Sequence, residues 1–164
     1  NKNLEMKRTV ALLMENQSGA LSRVVGLFSQ RGYNIESLIV AATEDPSLSR
    51  LTMTTTGDEK VIEQITKQLN KLIDVVKVLD LGESDYVERE LMLVKFANES
   101  ITRETIKELN GEIVFENNEL LTIQFVGSSE ELDQVLKNLA SSHPLEIVRT
   151  GASGISSNLK TLTI

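Results

Sequence analysis

The sequence contains no cysteine and no tryptophan, a single histidine, two prolines and only 4% aromatic residues. Missing thiols exclude a disulfide scaffold, thiolate metal sites and a cysteine nucleophile. Scarce aromatics leave aliphatic side chains to supply most of the burial, and 40% apolar residues in a chain of 164 are enough for real cores. The formal net charge of −7 argues against nucleic acid and anionic membrane surfaces as partners, because both require a basic face. No apolar run approaches the roughly 18 residues that suggest a membrane span. No succession of basic, apolar and small residues marks a secretory leader, so the chain is expected in the cytoplasm. Residues Asn1–Glu5 precede Met6 and fall outside the pattern that follows, so they are left out of the fold reasoning.

What remains reads as one pattern written twice. Arg8 to Met14 alternates, with Val10, Leu12 and Met14 on one face and Ala11 and Leu13 on the other. Leu21, Val24, Val25 and Phe28 then recur at helical spacing from a start at Ser18 or Gly19, and Gly32 ends the helix. Asn34 to Ala42 and Leu48 to Thr56 read as strands around a Glu44-Asp45-Pro46 turn. Ile62, Ile65, Leu69 and Leu72 mark a second helix, and Val75 to Leu81 a fourth strand. After the polar stretch Gly82-Glu83-Ser84-Asp85 the order restarts. Strands are expected at 90–96, 111–115, 120–126 and 145–149, with helices at 102–109 and after the capping box Ser128-x-x-Glu131.

The expected fold is α+β, two tandem ferredoxin-like βαββαβ domains. Their bounds are 7–82 and 91–164, joined by a linker over 83–90. The second strand falls at a sheet edge, and no Lys, Arg or Pro blunts residues 35–43. Edge-to-edge pairing in a symmetric dimer would satisfy it. The face that carries Ala11 and Leu13 is likewise expected to be buried against a partner.

Several activities known on this fold lack their residues here. Base stacking requires aromatics on the first and third strands, which read TVALLM and LSRLTMTTT. Soft-metal carriage requires cysteines. An acylphosphatase-like hydrolase could use Arg23, Arg31 and Asn34, but the glycine-rich phosphate loop is missing. His143, before Pro144 at a helix end, suits capping or solvation better than general-base catalysis. Glu130, Glu131 and Asp133 fall in the first turns of a helix, where the dipole favours them. No catalytic residue is assigned and no metal ligand is expected.

A binding module is left. The turn Asn16-Gln17-Ser18-Gly19 leads into a helix N-terminus, whose free amides favour a carboxylate. Asn16 offers an amide and a carbonyl, and Gly19 permits close backbone approach. Leu21, Ile35 and Leu38 supply an apolar wall, and Asn34 begins the edge strand. Such a set suits a small neutral amino acid, although the same turn also serves as a plain helix cap.

The stretches NQSGALSRVVGLFSQRGYNIESLIVAATEDPSLSRLTM and YVERELMLVK closely resemble the regulatory small subunits of acetolactate synthase, the acetohydroxyacid synthases. The resemblance runs nearly unbroken from Lys7 to about Val94 and is looser beyond. It implies that the first half is an ACT domain and the second ACT-like. It further implies a side-by-side homodimer that binds valine or another branched-chain amino acid at its interface. The family's effector positions fall on Asn16, Gly19 and Asn34; Ala20, Leu21, Tyr33 and Ile35 are added as their neighbours. By the same resemblance the subunit is non-catalytic and carries no cofactor. It would stimulate a catalytic large subunit, which holds thiamine diphosphate, Mg²⁺ and FAD, and confer feedback inhibition on it. A stand-alone amino-acid sensor is the alternative. The family usually carries an Arg-Gly pair after the RxG turn; here Arg149-Thr150-Gly151 is followed by ASGISSNLKTLTI instead.

Overall fold

The computed structural model describes residues 6–83 and 85–164; the sequence readings at Asn1–Glu5 and Ser84 lie outside them. The chain forms two units. The first reaches to Val87 and also takes in Ser153–Ile164, and the second is Glu88–Ala152.

In the first unit, strands β1 (Met6–Glu15), β2 (Asn34–Ala42), β3 (Leu48–Gly57) and β4 (Val75–Asp80) alternate with helices α1 (Ala20–Arg31) and α2 (Glu59–Asn70) in the expected βαββαβ order. The antiparallel sheet runs β2-β3-β1-β4, so β2 is an edge strand. Val10, Leu12 and Met14 point to the helices and join Leu51, Met53, Ile62, Ile65 and Leu69 in the core. The stripe of α1 is Ala20, Val24 and Phe28, flanked by Leu21 and Leu27. Val25, expected in it, is only half-buried, because the buried face centres on the i, i+4, i+8 row beginning at Ala20. Asp58 caps α2 by accepting from the Val61 amide at 2.9 Å.

The second unit repeats the scheme with β5 (Tyr86–Ala97), α3 (Arg103–Glu108), β6 (Glu112–Glu116), β7 (Leu120–Gly127), α4 (Ser129–Leu139) and β8 (Glu146–Arg149), in the sheet order β6-β7-β5-β8. The two sheets share even an irregularity. The pairing register slips between Ile35 and Ser37 on β2, and between Ile113 and Phe115 on β6. The Ser128–Glu131 capping box opens α4. His143 is exposed and adopts φ 53° where the turn after α4 ends. Strand β5 begins at Tyr86, four positions before the expected Glu90, so much of the stretch read as linker is strand.

The tail departs from expectation. Residues 153–164, read as part of the second domain, pack on the first unit. A short strand β9 (Ser153–Ser156) pairs with β5. A Cβ on Gly154 would lie 2.6 Å from Leu81 Cδ1, so only glycine fits there unaltered. Further on, Leu162 is 6% exposed and packs with Ala11, Leu13 and Leu81, while Lys77 Nζ donates to the Thr161 carbonyl at 2.8 Å. The outer face of β1, expected to need a partner, is thus covered by the chain's own end. Ile155, Leu159, Leu162 and Ile164 follow neither a strand nor a helix period, which is why the pattern gave no sign of it.

Candidate functional site

The proposed residues collect at the two ends of α1. At its start, the Asn16 amide donates to the Ser47 carbonyl at 2.8 Å, and Asn16 Nδ2 donates to the Pro46 carbonyl at 3.0 Å. The turn before the helix is thereby tied to the β2–β3 turn. Gly19 is the N-cap residue, with φ 86° and no side chain capping the helix. That left-handed conformation explains the glycine, since a Cβ there costs an L-residue about 1–2 kcal/mol. Among the described residues, the amides of Leu21 and Ser22 have no acceptor. Free amides at the positive end of a twelve-residue helix attract a carboxylate. Ala20 is buried beneath them, and Leu21 is half-buried against the core.

Arg23, one turn into the helix, adds positive charge. Its Nη1 lies 3.0 Å from the place a Gly19 Cβ would take. A cation this close to a helix N-terminus opposes the dipole, and α1 has no acidic residue in its first turn. Asp74 stabilises the arrangement: Arg23 donates from Nε and, at 3.0 Å, from Nη2 to the two oxygens of this 5%-exposed carboxylate. The hydrogen bond holds the Asp74 carboxyl below its ordinary range and raises Arg23. Sequence reasoning placed neither Arg23 nor Asp74 in this site; the basic residue in a first helical turn was the available signal.

At the other end, Gly32 (φ 68°) closes α1, and the Tyr33 amide donates back to the Phe28 carbonyl at 3.0 Å. The Tyr33 ring stands edge-on to Phe28, with centroids 5.8 Å apart, and its hydroxyl reaches Gln64 Oε1 at 3.4 Å. Asn34 pairs with Thr56 at the start of the edge strand, and its carbonyl accepts from the Thr55 hydroxyl. Its side chain is exposed and, with Tyr33, Glu36, Thr56 and Asp58, lines an open cavity of about 640 Å³. Ile35 is half-buried against the core.

One chain therefore does not bring the set together. The twelve residues of α1 lie between Asn16 and Gly19 at one end and Tyr33–Ile35 at the other, a span of about 18 Å at helical rise. Each end offers donors and acceptors but no nucleophile–base pair. Among the described residues no cluster of three or more His, Asp or Glu side chains is placed to hold a metal, and no helix is long and apolar enough to cross a membrane.

Comparison with known proteins finds a match for each half of the chain. Residues 10–77 match the family described as AHAS small subunit-like ACT domain, and residues 89–158 the family described as small subunit of acetolactate synthase. The acetolactate synthase isozyme 3 small subunit of Salmonella typhimurium is 51% identical over 156 residues, covering 92% of this chain and 96% of that protein. Its Escherichia coli counterpart is 50% identical with the same coverage. The crystal structure of the acetolactate synthase small subunit from Thermotoga maritima superposes with a TM-score of 0.82 at 35% identity, over 92% of this chain and 96% of that one. With both units matched in order and nearly the full length shared, the chain belongs to the acetolactate synthase small-subunit family.

Proposed function

We propose that this chain is the regulatory, non-catalytic subunit of an acetolactate synthase, that it stimulates a catalytic large subunit, and that it makes that subunit sensitive to valine. Thiamine diphosphate, Mg²⁺ and FAD belong to the large subunit in this reading. The observation that carries the effector site is the uncapped N-terminus of α1, with the Arg23 guanidinium packed beside Gly19. A twofold axis beside edge strand β2 pairs the strands antiparallel. It then carries the Asn34 end of one protomer to the Asn16 end of its partner. The amino-acid carboxylate meets the free amides, Asn16 and the partner's Asn34 take the polar groups, and Leu21 and Ile35 face the aliphatic chain. A ligand held by both protomers favours one relative orientation, and that differential affinity passes to the large subunit. A coupling of about 1–3 kcal/mol is ample for feedback inhibition.

The hydrolase alternative loses a principal residue, since Arg23 is committed to Asp74. The test is reconstitution with the catalytic subunit and a valine titration. Asn34→His is expected to leave stimulation intact and abolish inhibition. A variant that stimulates and stays fully valine-sensitive would refute the site. Failure of the wild-type chain to bind or stimulate any large subunit would leave a stand-alone sensor instead.

A further inference from the structure

Arg50 lies on β3, paired with Leu13, on the sheet face opposite the helices. Its Nη2 donates to the Gly154 carbonyl of the tail at 2.7 Å. Among the described residues no carboxylate lies within ion-pair distance of it. Burial destabilises the guanidinium charge, and no acidic neighbour offsets the effect. A half-buried cation with spare donors is unusual, because an unpaired charge is costly to desolvate.

The guanidinium borders a cavity of about 350 Å³ between the sheet and the tail. Leu13, Leu48 and Leu162 give it an apolar wall, and each of them is at most 9% exposed. Glu44 and Asp45 stand on the exposed turn at its border. Asp45 already accepts from the amide and hydroxyl of Ser47, at 2.9 and 2.7 Å. The set is one anion receptor, a short apolar slot and an acidic border that repels multiply charged ligands such as phosphates and dicarboxylates.

We propose that this cavity at Arg50 is a second ligand site, separate from the ends of α1, which binds a small aliphatic monocarboxylate under the C-terminal tail. The carboxylate pairs with Arg50, in the bidentate manner to which a guanidinium is suited, and the short chain lies against Leu13, Leu48 and Leu162. The ligand touches the sheet and the tail together, so it fastens residues 153–164 to the first unit. The proposal does not depend on the effector site at α1.

Methyl-resolved NMR of the full chain tests it with three probes: isobutyrate, its neutral isostere isobutyramide, and L-valine. Isobutyrate is expected to give saturable shifts at the methyls of Leu13, Leu48 and Leu162, with isobutyramide at least about tenfold weaker, as loss of a charge-assisted pair implies. Arg50→Gln should weaken isobutyrate to a similar degree, and Arg50→Lys should restore part of it. If L-valine shifts the same methyls as strongly as isobutyrate does, the occupant includes free amino acids; isobutyrate alone points to acids without the ammonium. The proposal is overturned if neither acid moves these methyls, if the amide binds as well as the acid, or if a folded Arg50→Gln chain binds unchanged. Should Arg50→Gln fail to fold, the acid-against-amide comparison on the wild-type chain decides.

Discussion

Arg149 on β8 grips Glu90 on β5 with two parallel bonds, Nε to Oε1 at 2.8 Å and Nη2 to Oε2 at 3.0 Å. Ser129 Oγ donates to the same carboxylate at 2.8 Å, and the Gly151 amide at 3.3 Å. Arg149 also donates to Asp133 at 2.5 Å. The RxG turn is thus the fastening that joins the start of α4, the middle of the sheet and the exit of the second unit. Removing Arg149 leaves a nearly buried carboxylate short of donors, and Arg149→Met is expected to cost about 2–3 kcal/mol. Urea unfolding followed by circular dichroism measures it, and an unchanged midpoint would contradict this role.

The same carboxylate gives a pH dependence. Burial pushes the Glu90 carboxyl up, yet the hydrogen bonds from Arg149 and Ser129, with the Arg149 charge and the Gly151 amide, together hold it below the ordinary range. The unfolded chain therefore takes up this proton at higher pH than the folded one. The stabilisation is complete above the ordinary carboxylate value and is lost as pH falls through the folded value. Glu90→Gln should be less stable than the wild-type chain at neutral pH, with the gap closing in acid. A gap that stayed constant across that range would refute the assignment.

Gly19→Ala adds a Cβ at φ 86°, 3.0 Å from Arg23 Nη1. The left-handed backbone alone predicts a loss of about 1–2 kcal/mol. Because the new methyl also crowds the open amides, valine affinity measured by calorimetry should fall more steeply than the melting temperature. Arg23→Met should lower the melting temperature, by stranding Asp74, and weaken valine as well. Valine binding equal to wild type in both variants would remove this end of α1 from the site.

Leu162 carries the cover over the outer face of β1. Leu162→Ala should destabilise the first unit by about 2–3 kcal/mol, the usual loss for a large-to-small change in a core. Amide exchange in β1 should rise with it. No change in exchange would mean that the tail does not shield Ala11 and Leu13.

Val40 is 36% exposed on the edge strand. If β2 strands pair across a twofold axis, Val40→Lys sets two like charges along the seam. A shift from dimer to monomer is expected in light scattering, and an unaltered mass would exclude that pairing.

Periodicity made most of the fold legible, because each element owes its place to a stripe or alternation that the sequence spells out. The strand order followed from the βαββαβ succession, and the edge position of β2 from that order. Val25 was misplaced because two adjacent valines satisfy helical spacing equally well, and only packing chooses between them. The tail was illegible for a related reason: its hold on the sheet comes from one leucine, a glycine fitted against Leu81 and backbone carbonyls bound by Arg50 and Lys77. The turn before α1 was legible as a cap with a glycine. Asp74, distant in sequence, could not be paired with Arg23 without the fold.

The tail's return also orders events during synthesis. Leu162, which covers Ala11 and Leu13, leaves the ribosome on the order of ten seconds after them at ordinary elongation rates. Through that interval the second unit can complete its own core, but the first sheet stands with one greasy side wet. The domain begun first is the last to be finished, and chaperones or a waiting subunit have that window in which to meet it.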